Sequence, residues 1–205
     1  GINPASVEWL RGIRQICDEN DILMIVDDIQ VGNGRAGYFF SFERAGIVPD
    51  MVVMSKSISG FGMPMALLLI KPELDIFRPA EHNGTFRGNQ LSFIGGIRYF
   101  TEHKLDEEVR RKGQIIEQFI QKEILPMDAR LVHRGIGMIW GIDFNGIAPE
   151  KAIEVIHKAF DNHLILEVAG RHDGVVKIMP PLTIEDDTLM EGLQIVKKSI
   201  AEVLN

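Results

Sequence analysis

Two short apolar runs, each followed within two residues by an ionisable side chain, constrain the fold of this chain most strongly. Residues 22–26 read ILMIV and are followed by Asp27, and residues 51–54 read MVVM and lead to Lys56. Continuous apolar runs of this length are typical of strands that are buried on both faces of a parallel sheet. Because helical patterns alternate with these runs, the sequence predicts an α/β architecture with a mostly parallel sheet.

Lys56 and Asp27 are the two groups that indicate a chemistry. A lysine at the tip of a buried strand is expected to be shielded from water, which favours the uncharged, nucleophilic amine. Taken alone, such a lysine is more often a surface residue, and such an aspartate is more often a turn or helix-cap residue. Together they are the groups that a pyridoxal phosphate enzyme needs, an amine for the Schiff base and a carboxylate that keeps the pyridine nitrogen protonated.

Composition argues against several other classes of protein. The net charge of −7 disfavours nucleic acid or an anionic membrane as the main partner, and no apolar run approaches the length of a membrane span. A single cysteine, Cys17, allows no internal disulfide and favours a reducing, cytoplasmic compartment. His82, His133 and His172 lack the spacing of a metal site, so no metal is expected.

The pattern of elements predicts two domains. Residues 1–126 alternate strands and helices, and they are predicted to end with a long amphipathic helix over residues 106–124. Residues 65–70 are apolar throughout, which predicts a strand buried on both faces. Residues 127–205 contain short strands with glycines between them and two helices, which predicts a smaller α+β domain.

Four segments resemble motifs of the class III, or ornithine-type, aminotransferases. In chain order they are residues 26–37 (VDDIQVGNGRAG), 49–56 (PDMVVMSK), 82–89 (HNGTFRGN) and 177–182 (KIMPPL). Any one of them is a weak signal, but their order and their spread over nearly the whole chain make the combination specific. The resemblance implies a fold-type I pyridoxal phosphate transferase. Since a full member is considerably longer, it also implies that these 205 residues correspond to the carboxyl-terminal half.

The resemblance assigns roles to individual residues. It implies that Lys56 binds pyridoxal 5′-phosphate covalently and then moves protons as a general base and acid. Asp27 would contact the ring nitrogen, Gln30 would approach the phenolic oxygen, and Asp28 would make a structural hydrogen bond nearby. Thr85 would reach the cofactor phosphate from a neighbouring subunit, so a homodimer or a higher homo-oligomer is implied.

Two further residues concern the substrate. Many family members have arginine where Lys177 stands and use it to bind a substrate carboxylate through two hydrogen bonds. Lysine offers only a point charge there, and Arg171 is a possible substitute.

The segments 1–4, 134–141 and 175–177 resemble a subgroup of the family, the diaminobutyrate–2-oxoglutarate transaminases of ectoine biosynthesis. That likeness implies amino acid and keto acid substrates, with transfer of an amino group from glutamate to aspartate 4-semialdehyde. Two alternatives stay open. One is another class III enzyme, such as a different ω-amino acid transaminase, an aminomutase or a decarboxylase. The other is a truncated, non-catalytic subunit that only dimerises.

Overall fold

The computed structural model describes residues 1–84, 87–102 and 105–204, which fall into two compact units. One unit is Ala5–Asp106, and the other combines Gly1–Pro4 with Glu107–Asn205. The division therefore lies 20 residues before the predicted boundary at residues 126/127 (126 − 106 = 20). The assignment of these parts to a large cofactor-binding domain and a small domain stays a prediction.

The unit Ala5–Asp106 contains a three-stranded sheet in the order β1-β2-β3. β1 and β2 pair in parallel with Asp27 opposite Val53, whereas β2 and β3 pair antiparallel, so the described sheet is mixed. Its helices and strands are α1 (Val7–Glu19), β1 (Ile25–Asp27), β2 (Met51–Ser55), β3 (Ala66–Ile70) and α2 (Gln90–Glu102).

Burial within this sheet is greatest in the central strand. Val52 and Met54 of β2 are 6% and 1% exposed, as a strand with a partner on each side requires. The prediction for residues 65–70 is right about the strand and wrong about its burial, because Leu68 and Leu69 are 42% and 40% exposed. The physical reason is that β3 is an outer strand of the described sheet and pairs only with β2.

Asp50 fixes the register of β1 against β2. Its buried carboxylate accepts hydrogen bonds from the Met24 backbone N–H (2.7 Å), from Nη1 of Arg14 in α1 (2.8 Å) and from Nζ of Lys71 (2.7 Å). Its own backbone N–H donates to the Met24 carbonyl oxygen (2.9 Å). The hydrogen bonds from Lys71, Met24 and Arg14 hold the pKa of Asp50 well below its usual range.

The second unit is built on a four-stranded antiparallel sheet in the order β4-β5-β7-β6. Two helices that contact each other, α4 and α5, contribute apolar faces to its core, and this confirms the predicted α+β architecture. The elements are α3 (Leu105–Phe119), β4 (Val132–Ile136), β5 (Ile139–Asp143), α4 (Glu150–Asp161), β6 (Glu167–Ala169), β7 (Val175–Ile178) and α5 (Asp186–Leu204).

Helix α3 packs mainly with this second unit, although it begins at Leu105. Gly113 lies so close to the β4–β5 turn that a Cβ there would be 2.5 Å from the carbonyl oxygen of Gly137. Nζ of Lys112 donates to the Ile184 carbonyl oxygen, and Arg111 forms an ion pair with Asp186 at 2.7 Å. These contacts explain why the compact units divide within the first turn of α3 and not after the helix. Among the described residues, no helix is both long enough and apolar enough to cross a bilayer.

Candidate active site

The parallel pairing of β1 and β2 places Asp27 and Lys56 at one edge of the sheet. β1 ends at Asp27, opposite Val53, and Lys56 directly follows the last residue of β2. Because the carboxyl ends of parallel strands meet at the same edge, both side chains start from neighbouring strand ends. This is the placement that the apolar runs predict, while the roles of the two residues toward a cofactor remain proposals.

Lys56 itself is exposed, so the expectation that its side chain is shielded from water is wrong for this chain. The reason lies in the backbone. Lys56 has a φ of 54°, in the left-handed region, and it opens the short 3₁₀ turn Lys56–Ser59 that leads the chain away from the strand. A left-handed residue with a side chain costs about 1–2 kcal/mol, so the surrounding contacts must hold it in place.

The two consecutive aspartates after β1 have opposite environments. Asp27 is exposed, and its Oδ1 accepts a hydrogen bond from the Ile29 backbone N–H (3.0 Å). Asp28 is fully buried, and its Oδ2 accepts from the Ser41 backbone N–H (2.9 Å), which is the structural hydrogen bond that the resemblance implies. Burial raises the pKa of Asp28. The chain at the end of β1 therefore exposes one carboxylate and buries the other.

The loop after Asp28 closes tightly on that residue. The Gly32 backbone N–H donates to the Asp28 carbonyl oxygen (3.1 Å), and a Cβ on Gly32 would lie 2.8 Å from Oδ2 of Asp28. Only glycine fits this approach. Gln30, the predicted contact of the phenolic oxygen, is half-buried within this loop. The loop thus keeps Gln30 next to the end of β1.

Two polar residues of the same loop are buried although the sequence analysis assigned them no role. Asn33 is fully buried, and Arg35 is 8% exposed. Burial lowers the pKa of Arg35 to about 10, and it raises the pKa of the nearby Tyr99 phenol. The sequence feature that could have indicated their burial is the segment 32–37, whose three glycines allow close backbone contacts around Asn33 and Arg35.

The other predicted site residues belong to different parts of the chain. Thr85, the predicted phosphate contact, lies outside the described residues. Lys177 and Arg171 belong to the second compact unit. Lys177 is ion-paired with Glu167, its cross-strand neighbour on β6, whereas Arg171 is exposed in the turn Arg171–Asp173.

Lys177 and Glu167 border a cavity of about 370 Å³ in that unit, which is otherwise lined mainly by apolar side chains of β7, α5 and the segment 164–166. In the part of the chain that the structure describes, no group of three or more His, Cys, Asp or Glu residues is arranged to hold a metal ion.

Residues 1–200 match the family described as aminotransferase class-III. The chain belongs to the class III aminotransferase family. Pyridoxal 5′-phosphate is the cofactor of this family. The exposed carboxylate of Asp27 and the exposed amine of Lys56 at one sheet edge suit that cofactor, which needs one acid and one primary amine.

Curated relatives cover the chain almost completely. An uncharacterized aminotransferase of Sinorhizobium fredii, y4qG, is 49% identical over 206 residues, which are 98% of this chain and 46% of that protein. A diaminobutyrate–2-oxoglutarate transaminase of Bordetella parapertussis is 44% identical over 211 residues, which are 100% of this chain and 48% of that protein. The chain thus spans about half the length of the curated relatives it matches.

Solved structures of the family share the fold. Ornithine aminotransferase of Plasmodium yoelii superposes with a TM-score of 0.86 at 25% identity, covering 97% of this chain and 53% of that one. The fold-type I architecture implied by the four motifs is confirmed by this likeness.

Proposed function

We propose that the protein carrying this chain is a pyridoxal-phosphate-dependent transaminase that moves an amino group from glutamate to aspartate 4-semialdehyde. The products would be L-2,4-diaminobutyrate and 2-oxoglutarate, as in ectoine biosynthesis. The register of β1 against β2 is the observation that carries the catalytic part, because it sets an acid and an amine at one edge. The substrate pair is supported by relatives such as the 44% identical transaminase of Bordetella parapertussis.

Asp27 and Lys56 would hold the cofactor from two strand ends. When bound, pyridoxal phosphate supplies an electron sink for charge that develops on the substrate carbon. The Asp27 carboxylate accepts one described hydrogen bond, from Ile29, and its remaining lone pairs are available to a protonated ring nitrogen. An anion at that position stabilises the protonated form of the ring.

Lys56 would act twice. Its exposed amine is accessible for covalent attachment of the cofactor. The same amine would also serve as the general base and acid that holds and moves the proton next to the substrate carbon. Gln30 would contact the phenolic oxygen beside the ring. Thr85 of a second subunit would bind the phosphate.

We also propose a cytoplasmic homodimer, or a higher homo-oligomer, as the working form. Helix α2 presents Leu91, Ile94 and Ile97 on one face with 63%, 58% and 66% exposure, and residues spaced by three form a continuous stripe along a helix. Exposed apolar stripes of this kind mark protein interfaces. A single cysteine that is buried and free fits a reducing compartment.

Lys56→Ala in the protein that carries this chain tests the catalytic part. After incubation with pyridoxal phosphate and reduction with borohydride, peptide mass spectrometry should find the cofactor mass on Lys56 in the wild type and on no lysine in the variant. Turnover of glutamate with aspartate 4-semialdehyde should fall by about 10²–10⁴-fold, the usual worth of a positioned acid–base group.

Lys122→Ala, at an exposed lysine of the second unit, is the matched control and should label and turn over normally. Labelling at another lysine, or full turnover in Lys56→Ala, would contradict the assignment. Turnover without any keto acid acceptor would favour an aminomutase or a decarboxylase.

A further inference from the structure

Asn33 is a buried polar side chain that reaches the backbone next to Lys56. Its side chain is 0% exposed, and its Nδ2 donates to the Ser55 carbonyl oxygen at 3.5 Å, a long hydrogen bond. Its backbone N–H donates to the Phe39 carbonyl oxygen at 2.8 Å, which ties it into the loop that follows β1. Its Oδ1 is buried and has no hydrogen-bond partner among the described residues.

Burying the Asn33 amide costs free energy, and the left-handed backbone at this position does not by itself require an asparagine. Asn33 has a φ of 59°, which glycine would accept without any side chain to bury. A buried polar atom without a partner costs about 1–3 kcal/mol, so an amide here is unfavourable unless its other end does something useful. The contact with Ser55 is what asparagine provides and glycine does not.

The contact falls where the chain needs support. Lys56 leaves β2 in a left-handed conformation, and such residues persist only when their surroundings over-determine them. From the side of β3, Oγ of Ser55 donates to the Met65 carbonyl oxygen (2.8 Å). From within the turn, Oγ of the buried Ser59 donates to the Lys56 carbonyl oxygen (3.5 Å). Asn33 adds the third contact, from the loop after β1.

We infer that Asn33 is a positioning residue for Lys56. Its amide fixes the Ser55 carbonyl, and so it sets the direction in which Lys56 leaves the strand toward the edge that it shares with Asp27. The meaning of this role for catalysis rests on the proposed function, whereas its effect on the backbone does not. Asn33 acts through Ser55, so its loss weakens the placement of the amine and removes no reacting group.

The test uses two variants of the protein that carries this chain. Asn33→Gly keeps the left-handed backbone and removes the amide. Asn33→Asp keeps the volume, and at a pH where its carboxylate is ionised it has no proton to donate to the Ser55 carbonyl. Asp21→Gly is the matched control, because Asp21 is an exposed residue of the same unit with a φ of 53°.

Two measurements, made well below the unfolding temperature, distinguish a local change around Lys56 from a general loss of stability. Backbone hydrogen exchange of residues 56–60 should become about tenfold faster in both Asn33 variants and stay unchanged in Asp21→Gly. Pyridoxal phosphate labelling of Lys56, trapped with borohydride, should slow by about tenfold in the same two variants, since misplacing a reacting group lowers rate steeply.

The outcomes divide cleanly. Unchanged exchange over residues 56–60 in both Asn33 variants, or exchange that rises evenly along the chain, overturns the inference. Faster local exchange together with normal labelling also overturns it, because the amine would then be placed without Asn33. Faster local exchange in both Asn33 variants, found together with a wild type that never labels at Lys56, would support the backbone role and refute the proposed function instead.

Discussion

Replacing Asp50 with asparagine tests how firmly the strand register is anchored. The carboxylate of Asp50 binds two cations and one backbone N–H, and its side chain is only 9% exposed. Asparagine has the same shape but only one acceptor oxygen. If that oxygen keeps Arg14 and Met24, the new NH₂ group faces Nζ of Lys71, and two donors oppose each other.

The magnitude follows from these contacts. One hydrogen bond to a charged group is lost, which is worth about 1.5–3 kcal/mol. Breaking a buried ion pair costs about 3–5 kcal/mol. Because the side chain of Lys71 is 37% exposed, solvent compensates part of its loss. The expected decrease in the free energy of unfolding of Asp50→Asn is therefore about 2–4 kcal/mol at neutral pH.

Urea denaturation measures this decrease, and Asp18→Asn is the matched control. Asp18 also pairs with Arg14, at 2.8 Å, but its side chain is 66% exposed, so its loss should cost at most about 1 kcal/mol. The effect of Asp50→Asn on stability should also depend on pH in a defined direction. Since the pKa of Asp50 is lowered in the folded state, its contribution is present above the ordinary aspartate pKa and disappears as the pH falls.

The gap between wild type and Asp50→Asn should thus narrow on acidification. Equal effects of Asp50→Asn and Asp18→Asn, or a gap that does not depend on pH, would refute the anchoring argument.

Two further predictions concern the acids near the candidate site and the cavity. Burial raises the pKa of Asp28, so an ionised Asp28 lowers the free energy of unfolding. This loss grows as the pH rises from the ordinary aspartate pKa to the raised pKa of the folded state. Asp28→Asn should lack that loss and stay within about 1 kcal/mol of wild type at neutral pH. Thermal melts between pH 4 and 8 check this, and an unchanged pH slope would refute it. Glu167→Gln frees Lys177 from its ion pair. If Lys177 binds a substrate carboxylate, the KM of Glu167→Gln should fall about three- to tenfold while kcat stays unchanged. Steady-state kinetics measures both constants, and an unaltered KM would exclude that role.

The sequence alone was sufficient to place Asp27 and Lys56 at neighbouring strand ends. The first polar residue after each apolar run reports where the strand ends. The run itself does not guarantee burial, because Ile25 of β1 is 58% exposed. The same pattern misjudged the exposure of Lys56, because exposure depends on the turn after the strand and on its left-handed φ of 54°. It also misjudged β3, whose apolar residues are those of an outer strand of the described sheet.

Other features were hidden because they depend on contacts between distant positions. Asp50 reads as an ordinary residue after Pro49, yet Arg14 lies 36 positions earlier and Lys71 lies 21 positions later. Asn33 reads as a turn residue between two glycines, and only the folded chain brings its amide to Ser55. No local spacing rule contains this information.

The exposed Asp27 and the buried Asp28 make the end of β1 sensitive to any shift by one residue. Inserting a single residue ahead of them without shifting the sheet pairing would turn the solvated acid inward and the interior acid outward. The composition would change by one residue only, yet a charged side chain would move from solvent into the interior. Insertions within the strand, at residues 25–27, should therefore be tolerated less well than insertions in the preceding loop, which can absorb a residue without moving the two acids.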